Sequence, residues 1–180
     1  DSLYIKEAEQ ENIPIEMSGS LMAKLSGAKI IGITGTRGKS TTTHLIENIL
    51  KEAGLKFFIG GNVRGLANLP LLKEVDEKSL VLMELDSWQL QGFGYSKISP
   101  HISVFTNLMN DHQNYYKGDM QKYFDDKSNI FKFQNENDYL IVNFKTKSLL
   151  REMYENDLRE TEEYFIKIKV VFEFFGYWGS

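Results

Sequence analysis

The chain has 180 residues, a formal net charge of −4 and a pI near 5.5. This length suits one well-buried domain and part of a second, and the acidic balance argues against a general nucleic-acid binder. The absence of cysteine excludes a disulfide framework and thiolate chemistry. No apolar run approaches a membrane span and the first residues do not resemble a signal peptide, so we expect a cytoplasmic protein that binds no membrane.

The first 27 residues carry little chemistry. Residues 3–11 and 18–26 predict short helices, the second closed by Gly27. Because these elements are too short to hold a core of their own, we interpret residues 1–27 as a tail or linker.

The clearest chemical signal lies between residues 30 and 54. A β-branched run is followed by glycines at positions 32, 35 and 38, then by Lys39 and Ser40, and then by apolar residues at helical spacing. Strand, glycine-rich turn and helix in this order are typical of a phosphate cradle, in which backbone N–H groups and a helix N-terminus bind phosphates. In such a loop Lys39 reaches the outer phosphates and Ser40 ligates magnesium. The predicted phosphate-binding residues are Gly35, Thr36, Arg37, Gly38, Lys39, Ser40 and Thr41.

The loop departs from the commonest P-loop pattern, which has glycine where this chain has Ile33. A glycine-rich turn that only joins a strand to a helix is the structural alternative. Lysine and serine directly after the last glycine favour nucleotide binding.

Four later apolar runs predict further strands, at residues 56–59, 80–85, 102–105 and 139–142. Helical patterns separate them, so we predict an α/β fold of P-loop type, with a mostly parallel sheet flanked by helices. Polar residues follow several of these strands, at the sheet edge where open α/β sheets bind ligands.

Three of these strand-end residues are site candidates. Asn62 follows Gly60 and Gly61 and is either a substrate contact or a plain turn residue. Glu84 is either a magnesium ligand or an ordinary strand-end acid. His112 has Asp111 beside it and is a candidate metal ligand.

Two further residues have a structural and a chemical interpretation. His44 on the loop helix lacks a partner at motif spacing and is expected to be a partly exposed helix residue. Lys127 lies on a helix predicted over residues 119–133, on the same face as four apolar residues. Such a lysine either snorkels to water or is desolvated, so that its neutral amine is reactive, and composition alone favours snorkelling. The apolar residues are Met120, Tyr123, Phe124 and Phe131.

The character of the chain changes after Lys145. Residues 146–165 predict an acidic surface helix, and residues 166–178 are dense in aromatic side chains without a recognisable motif. This last stretch is interpreted as an extra strand or an exposed, aggregation-prone end.

Five collinear motifs carry a resemblance to a known family. They are GTRGKSTTT at 35–43, GGNVRG at 60–65, ELDSWQLQ at 84–91, TNLMNDH at 106–112, and Lys127 fifteen residues after the histidine. Together they resemble the central, ATP-binding domain of the Mur ligases. The loop is shared with folylpolyglutamate-type ligases, whereas ELDSWQLQ is similar to the motif of the D-glutamate-adding members.

The resemblance implies ATP and Mg²⁺ as cofactors and catalytic roles for Lys39, Lys127 and His112. Carbamylation of Lys127, which the resemblance implies, reverses the snorkelling interpretation, because a carbamate forms on an uncharged amine that an apolar face favours. The implied magnesium ligands are Ser40 and Glu84 for one ion and His112 with carbamylated Lys127 for a second, and the implied substrate contacts are Asn62 and Ser87.

The implied reaction joins two small molecules. ATP phosphorylates the carboxylate of UDP-N-acetylmuramoyl-L-alanine, and the amine of D-glutamate displaces phosphate from the acyl phosphate to form an amide. A monomer is expected, with no nucleic-acid partner. The alternatives are another ligase of the superfamily, of folylpolyglutamate or cyanophycin type, and a truncated, non-catalytic nucleotide-binding module.

The resemblance also divides the chain. Residues 1–27 match the end of an N-terminal UDP-binding domain, residues 28–145 the central domain, and residues 146–180 form an atypical extension in place of a C-terminal ligase domain. The isolated chain is therefore expected to bind Mg-ATP weakly and to lack ligase turnover.

Four positions depart from the family pattern. Arg37 stands where asparagine or lysine is usual in the loop, and Asp86 stands where serine is usual. Asn114 and Tyr115 stand where an aspartate and a basic residue are usual. These departures bear on how the substrate is positioned.

Overall fold

The computed structural model describes residues 2–63, 65–109 and 113–158, apart from the side chains of residues 113, 114, 151 and 154–158. The strands are β1 (Lys29–Thr34), β2 (Phe58–Gly61), β3 (Leu80–Glu84), β4 (Ile102–Phe105) and β5 (Tyr139–Val142). The helices are α1 (Leu3–Gln10), α2 (Ser18–Ser26), α3 (Lys39–Glu52), α4 (Ser87–Ser96), α5 (Gln113–Tyr116), α6 (Met120–Ser128) and α7 (Phe144–Leu158), and a 3₁₀ turn covers Leu69–Lys73.

The five strands form one parallel sheet in the order β2-β3-β1-β4-β5. β1 lies at its centre, and five of its six residues are buried, because a central parallel strand is covered on both faces. The predicted α/β fold with a mostly parallel sheet is confirmed.

Helices pack on both faces of the sheet. On one face α3 covers a small cluster made by Leu50 with Ile31, Ile33 and Leu82. The other face carries the larger core, to which α2 contributes Met22 at 0% exposure. The stretch predicted as a tail or linker therefore includes a helix that is packed into the core. The larger core also includes Val81, Met83, Leu90, Phe93, Phe105, Tyr123, Phe124 and Leu140.

Two predicted boundaries are corrected. β2 starts at Phe58 and includes Gly60 and Gly61, which were predicted as a turn. Gly61 adopts φ 85° and pairs with Glu84 of β3. A Cβ on Gly61 would lie 2.1 Å from the Glu84 carbonyl oxygen, so the strand can continue here only because the residue is glycine. Helix α6 ends at Ser128 rather than at residue 133, and the Ser128 hydroxyl bonds the carbonyl of Asp125.

Helix α7 starts two residues before its predicted start. The Asn143 side chain accepts a hydrogen bond from the Thr146 N–H and so caps the helix. The predicted end of this helix and the aromatic stretch 166–178 lie outside the described residues. Within the described ranges, no helix is long and apolar enough to cross a membrane.

Candidate functional site

The glycine-rich loop joins β1 to α3 at the carboxyl edge of the sheet. Gly35 adopts φ 144°, and a Cβ on it would lie 1.9 Å from the Thr106 Oγ1 and 3.0 Å from backbone atoms of Asn107. Gly38 adopts φ 82° as the N-cap of α3 and offers no side chain to cap it. The first N–H groups of α3 have no intrahelical acceptor, so the loop leaves them available to an anion.

The end of β4 holds the loop in place. Asn107 accepts two hydrogen bonds from backbone N–H groups of the loop. The Thr36 N–H donates to its carbonyl oxygen at 2.9 Å, and the Arg37 N–H donates to its Oδ1 at 3.0 Å. The Thr106 hydroxyl donates to the Arg37 carbonyl at 2.6 Å, and the Thr36 hydroxyl accepts from the Met109 N–H at 2.9 Å. Backbone groups of the loop are thereby fixed by a segment about 70 residues later.

Ser40 and Glu84 meet beside the loop. The Ser40 hydroxyl donates to the Glu84 Oε1 at 3.2 Å, and Glu84 ends β3 next to β1 with only 8% of its surface exposed. Lys39 extends over the loop and donates to the carbonyls of Gly35 at 3.0 Å and Thr36 at 3.3 Å. Two oxygen ligands, one of them anionic, form the donor set that a magnesium ion prefers. The described residues contain no group of three or more His, Asp or Glu side chains that could hold a metal by themselves.

Lys127 reaches the same loop from α6. It is 2% exposed, so the composition-based expectation that it snorkels to water is wrong. Its Nζ donates to the Gly35 carbonyl at 3.0 Å and to the Thr34 hydroxyl at 3.2 Å, and it lies 5.0 Å from the centre of the Tyr123 ring. Tyr123 in turn hydrogen-bonds the Thr36 hydroxyl at 3.3 Å. The lysine is part of the surroundings of the loop.

Asn62 lies at the end of the neighbouring strand, close to Glu84. Its backbone N–H donates to the Glu84 carbonyl at 2.6 Å, and its side-chain Nδ2 donates to the Asp86 Oδ2 at 3.0 Å. The other Asp86 oxygen caps α4 by accepting from the Gln89 N–H at 2.8 Å. Asp86 therefore orients Asn62, and the buried Ser87 follows it as the first residue of α4.

A cleft of about 230 Å³ opens beside these residues. Trp88 and Tyr115 stand edge-to-face in it, with ring centres 5.6 Å apart and planes at 78°. Behind the cleft the Asp126 carboxylate accepts from the Tyr116 hydroxyl at 2.8 Å. Burial raises the pKa of Asp126, and burial also raises the pKa of Tyr116. The residues lining the cleft are Asp86, Ser87, Trp88, Tyr115 and Tyr116.

Most of the sequence-predicted site residues that are described lie at one edge of the sheet. Arg37 and Thr41 are exposed. His44 is an exposed helix residue, as expected, and its Nδ1 lies 3.2 Å from the Glu47 Oε2, a contact that was not predicted. His112 lies outside the described residues, together with Asp111. The gathered residues are Gly35, Thr36, Gly38, Lys39, Ser40, Asn62, Glu84, Ser87 and Lys127.

Sequence reasoning missed several residues that contact this site. Thr34, Tyr123 and Asn107 bind the loop or Lys127 directly. Asn107 follows a predicted strand and Tyr123 shares the predicted helix face of Lys127, whereas Thr34 had no sequence signal. The contact between Gln91 and Asp126 had no sequence signal, because it depends on how α4 packs against α6.

Five parallel strands and a glycine-rich loop that leads from the central strand into a helix define a P-loop type α/β domain. A family model described as the Mur ligase middle domain matches residues 33–170, which is more than half of the chain. The chain belongs to the Mur ligase middle-domain family.

Three curated relatives carry the same name. The chain is 41% identical over 143 residues to the UDP-N-acetylmuramoylalanine–D-glutamate ligase of Clostridium acetobutylicum, covering 79% of this chain and 30% of that protein. It is 37% identical over 173 residues to the Clostridium kluyveri ligase of the same name, covering 94% of this chain and 36% of that protein. The Streptococcus mutans ligase of the same name is 39% identical over 140 residues, which cover 78% of this chain and 30% of that protein. The chain thus spans about a third of the length of these relatives.

Two solved structures share the fold. MurF ligase from Thermotoga maritima in complex with ADP superimposes with a TM-score of 0.56 at 20% identity, over 78% of this chain and 35% of that one. Escherichia coli FolC in complex with DHPP and ADP superimposes with a TM-score of 0.51 at 17% identity, over 78% of this chain and 44% of that one. These likenesses support the fold.

Proposed function

We propose that this chain is the ATP-binding part of a ligase that adds D-glutamate to UDP-N-acetylmuramoyl-L-alanine during peptidoglycan precursor synthesis. The observation that carries the proposal is the convergence of Lys39, the Ser40–Glu84 pair and the buried Lys127 on one glycine-rich loop. The identity of 37–41% to ligases named for this reaction supports the choice of substrates.

The loop residues bind and orient the nucleotide. The N–H groups at the start of α3 and the Lys39 ammonium bind the phosphates of ATP, and Asn107 and Thr106 hold the loop in the shape that this binding needs. With the terminal phosphate fixed, the acceptor carboxylate oxygen attacks its phosphorus and ADP leaves. The D-glutamate amine then attacks the acyl carbon, phosphate leaves with the acyl oxygen, and the amine loses a proton. Fixing these reactants in line is mainly positional and electrostatic catalysis.

Ser40 and Glu84 fit a magnesium ion that accompanies the nucleotide. Their hydrogen-bonded oxygens come from the start of α3 and the end of β3, next to the predicted phosphate position. When bound there, the ion neutralises phosphate charge and polarises the transferred group. Glu84 is nearly buried, so its orientation is fixed before the ion arrives.

Lys127 is proposed to carry a carbamate and, with His112, to hold a second ion. The Lys127 side chain is 2% exposed and its Nζ lies over the ring of Tyr123. Burial away from water penalises the charged form of an amine. Carbon dioxide would add to the neutral amine with loss of one proton, forming an N–C bond and an anionic carboxylate. The remaining N–H can still donate to the Gly35 carbonyl.

Asn62 and Ser87 are proposed as contacts of the acceptor. Both lie beside Asp86 at the edge of the sheet next to the loop, where an acceptor carboxylate can approach the bound phosphates. We expect the whole enzyme to act as a monomer in the cytoplasm, and we keep 1–27, 28–145 and 146–180 as the proposed division into linker, central domain and extension.

The proposal is tested by calorimetry on the 180-residue chain. Mg-ATP and UDP-N-acetylmuramoyl-L-alanine are expected to bind, and Lys39→Met is expected to weaken Mg-ATP binding by at least about tenfold while the acceptor still binds. Lys51→Met, which alters an exposed lysine on the same helix, serves as the matched control. Absence of Mg-ATP binding, or equal binding by Lys39→Met, would contradict the proposal.

A folate-type ligase is the second candidate, favoured by the structural likeness to FolC. Calorimetry with a dihydrofolate acceptor in place of the UDP-sugar separates the two candidates. Binding of the folate with no binding of UDP-N-acetylmuramoyl-L-alanine would favour the second candidate.

A further inference from the structure

The end of β5 contacts the segment that holds the glycine-rich loop. β4 and β5 pair as far as Phe105 and Val142, so Thr106 and Asn143 are the first residues beyond this ladder on the two strands. The chain enters α7 at Phe144, where its backbone turns away from β4. The carbonyl group of Thr106 therefore takes its hydrogen bonds from side chains instead of from a neighbouring strand.

Two side chains at the start of α7 supply these hydrogen bonds. The Asn143 Nδ2 donates to the Thr106 carbonyl at 2.8 Å, and the Thr146 hydroxyl donates to the same oxygen at 3.3 Å. Asn143 uses the other end of its amide to cap the helix, because its Oδ1 accepts from the Thr146 N–H at 2.8 Å. Since the amide is held at both ends and Thr146 is buried, the direction of the Thr106 carbonyl is fixed.

Fixing this carbonyl also fixes the residue that follows it. The peptide bond is planar, so the direction of the Thr106 carbonyl sets the plane from which Asn107 leaves the strand. Asn107 accepts from the N–H groups of Thr36 and Arg37. Its Nδ2 also donates to the Arg37 carbonyl at 3.1 Å. A rotation of the peptide between residues 106 and 107 would displace all of these contacts with the loop.

The loop has little room to adapt to such a rotation. A Cβ on Gly35 would lie 3.0 Å from both the backbone nitrogen and the carbonyl oxygen of Asn107, so the loop backbone packs directly against this peptide. The Thr106 hydroxyl donates to the Arg37 carbonyl at 2.6 Å on the same side. A displacement of the peptide therefore reaches the loop without a flexible group in between.

We propose that Asn143 is a positioning residue for nucleotide binding, which acts through Thr106 and Asn107 on the shape of the glycine-rich loop. The Thr146 hydroxyl supports it in this role. The inference rests on the proposed function, in which the loop binds the phosphates of ATP. It makes the first turn of α7 part of the support of that site, although α7 begins more than a hundred residues after the loop.

The test separates the amide donor of Asn143 from its role as a helix cap. Asn143→Ser keeps a side-chain oxygen that can cap α7, since serine and asparagine cap helices about equally well, but it loses the Nδ2 donor. It adds no charge near the nucleotide, and because Asn143 is exposed it leaves the core intact. We expect Asn143→Ser to melt close to the parent chain and to bind Mg-ADP about fivefold more weakly in calorimetry. Asn143→Ala loses both donor and cap, so it should bind as weakly and also melt at a lower temperature.

Two further variants complete the comparison. Thr146→Val removes one hydroxyl and keeps the size of a buried side chain, and we expect it to weaken Mg-ADP binding by about twofold. Asn135→Ser is the matched control. It makes the same exchange at an asparagine whose Oδ1 accepts from the Asn137 N–H in the turn before β5, so it should leave the Mg-ADP affinity unchanged.

Amide hydrogen exchange reports on the loop without any nucleotide. The N–H groups of Thr36 and Arg37 are expected to exchange about fivefold faster in Asn143→Ser than in the parent chain, because Asn107 holds them less firmly. The Leu85 N–H, which donates to the Ile33 carbonyl at 2.8 Å, should exchange at the parent rate. A residue that only capped α7 would leave all three rates unchanged in Asn143→Ser.

The outcomes distinguish this inference from the proposed function. If the parent chain binds Mg-ADP and Asn143→Ser binds it equally tightly, Asn143 is only a helix cap and the inference is overturned. Equal weakening by Asn135→Ser would overturn it as well. If the parent chain does not bind Mg-ADP, the proposed function falls and the exchange of the Thr36 and Arg37 N–H groups decides on the inference. Faster exchange in Asn143→Ser then supports it, and unchanged exchange overturns it.

Discussion

The Nζ of Lys127 lies 3.0 Å from the carbonyl oxygen of Gly35, a residue 92 positions earlier in the chain. This contact joins α6 to the loop that follows the central strand. The same Nζ bonds the Thr34 hydroxyl, so the lysine spans the junction between strand and loop. Changes at either end of the contact should therefore affect nucleotide binding.

Gly35→Ala is expected to distort the loop. The added methyl group would lie 1.9 Å from the Thr106 Oγ1 and 3.0 Å from backbone atoms of Asn107, and rotating one side chain cannot relieve the backbone contacts. Gly54→Ala is the control, because Gly54 has φ 66° and open space around it, and it should cost only about 1 kcal/mol. Urea unfolding should show Gly35→Ala less stable than Gly54→Ala by at least about 2 kcal/mol. Equal stability of Gly35→Ala and Gly54→Ala would contradict this prediction, because it would mean that the loop accommodates the methyl group at little cost.

Glu84→Gln is expected to reduce the preference for magnesium-bound nucleotide. Glutamine keeps the shape and an oxygen that can accept from Ser40 but loses the negative charge. The ratio of ADP affinities with and without Mg²⁺, measured by calorimetry, should fall by about tenfold. Glu47→Gln changes a partly buried acid on α3 that is paired with Lys51 and should leave the ratio intact. An unchanged ratio in Glu84→Gln would contradict the proposed contact between Glu84 and the magnesium ion.

The Lys127 amine is expected to take up carbon dioxide. Added ¹³C-labelled bicarbonate should give a carbamate signal in the ¹³C spectrum that grows with bicarbonate concentration, because the buried amine is held away from water. Lys127→Met should abolish this signal and Lys51→Met should retain it. A spectrum without the signal, or one in which Lys127→Met keeps it, would contradict carbamylation at this residue.

Tyr123→Phe is expected to cost little stability. The substitution keeps the ring beneath Lys127 and removes only the hydroxyl that bonds Thr36 at 3.3 Å. Because the Thr36 hydroxyl still accepts from Met109, the free energy of unfolding should fall by about 1 kcal/mol. Urea denaturation checks this value. A loss several times larger would mean that the ring also moves.

Stability is expected to fall in acid partly because of Glu16. A hydrogen bond from Lys24, with a second from Ser96, holds the pKa of Glu16 below its ordinary value of 4.5 in the folded chain. A carboxyl group with a lowered folded-state pKa contributes stability above its unfolded pKa and loses it as pH falls through the folded pKa. Glu16→Gln should therefore lose less stability than the parent chain between about pH 6 and about pH 3. Glu136→Gln is the surface control, and parallel curves for parent and Glu16→Gln would refute the assignment.

Much of the fold follows from local patterns in the sequence. The apolar runs of β1, β3, β4 and β5 were located within about a residue because buried parallel strands are continuously apolar. The predicted bounds of β2 were shifted because its last two residues are glycines, which resemble a turn in isolation. They form strand because they pair with Met83 and Glu84 of β3. The end of α6 was missed because its closing turn depends on the Ser128 side chain rather than on apolar spacing.

The sequence by itself determined the glycine-rich loop, Lys39, Ser40 and the strand-end position of Glu84, since phosphate-binding chemistry demands these residue types at fixed spacing. Only the tertiary structure decided between the two interpretations of Lys127, because burial depends on what packs against α6 and not on the helix alone. The same holds for Asp126 and Gln91, which hold the aromatic cleft through contacts between helices 35 residues apart in the chain. Such contacts leave no periodic trace in the sequence.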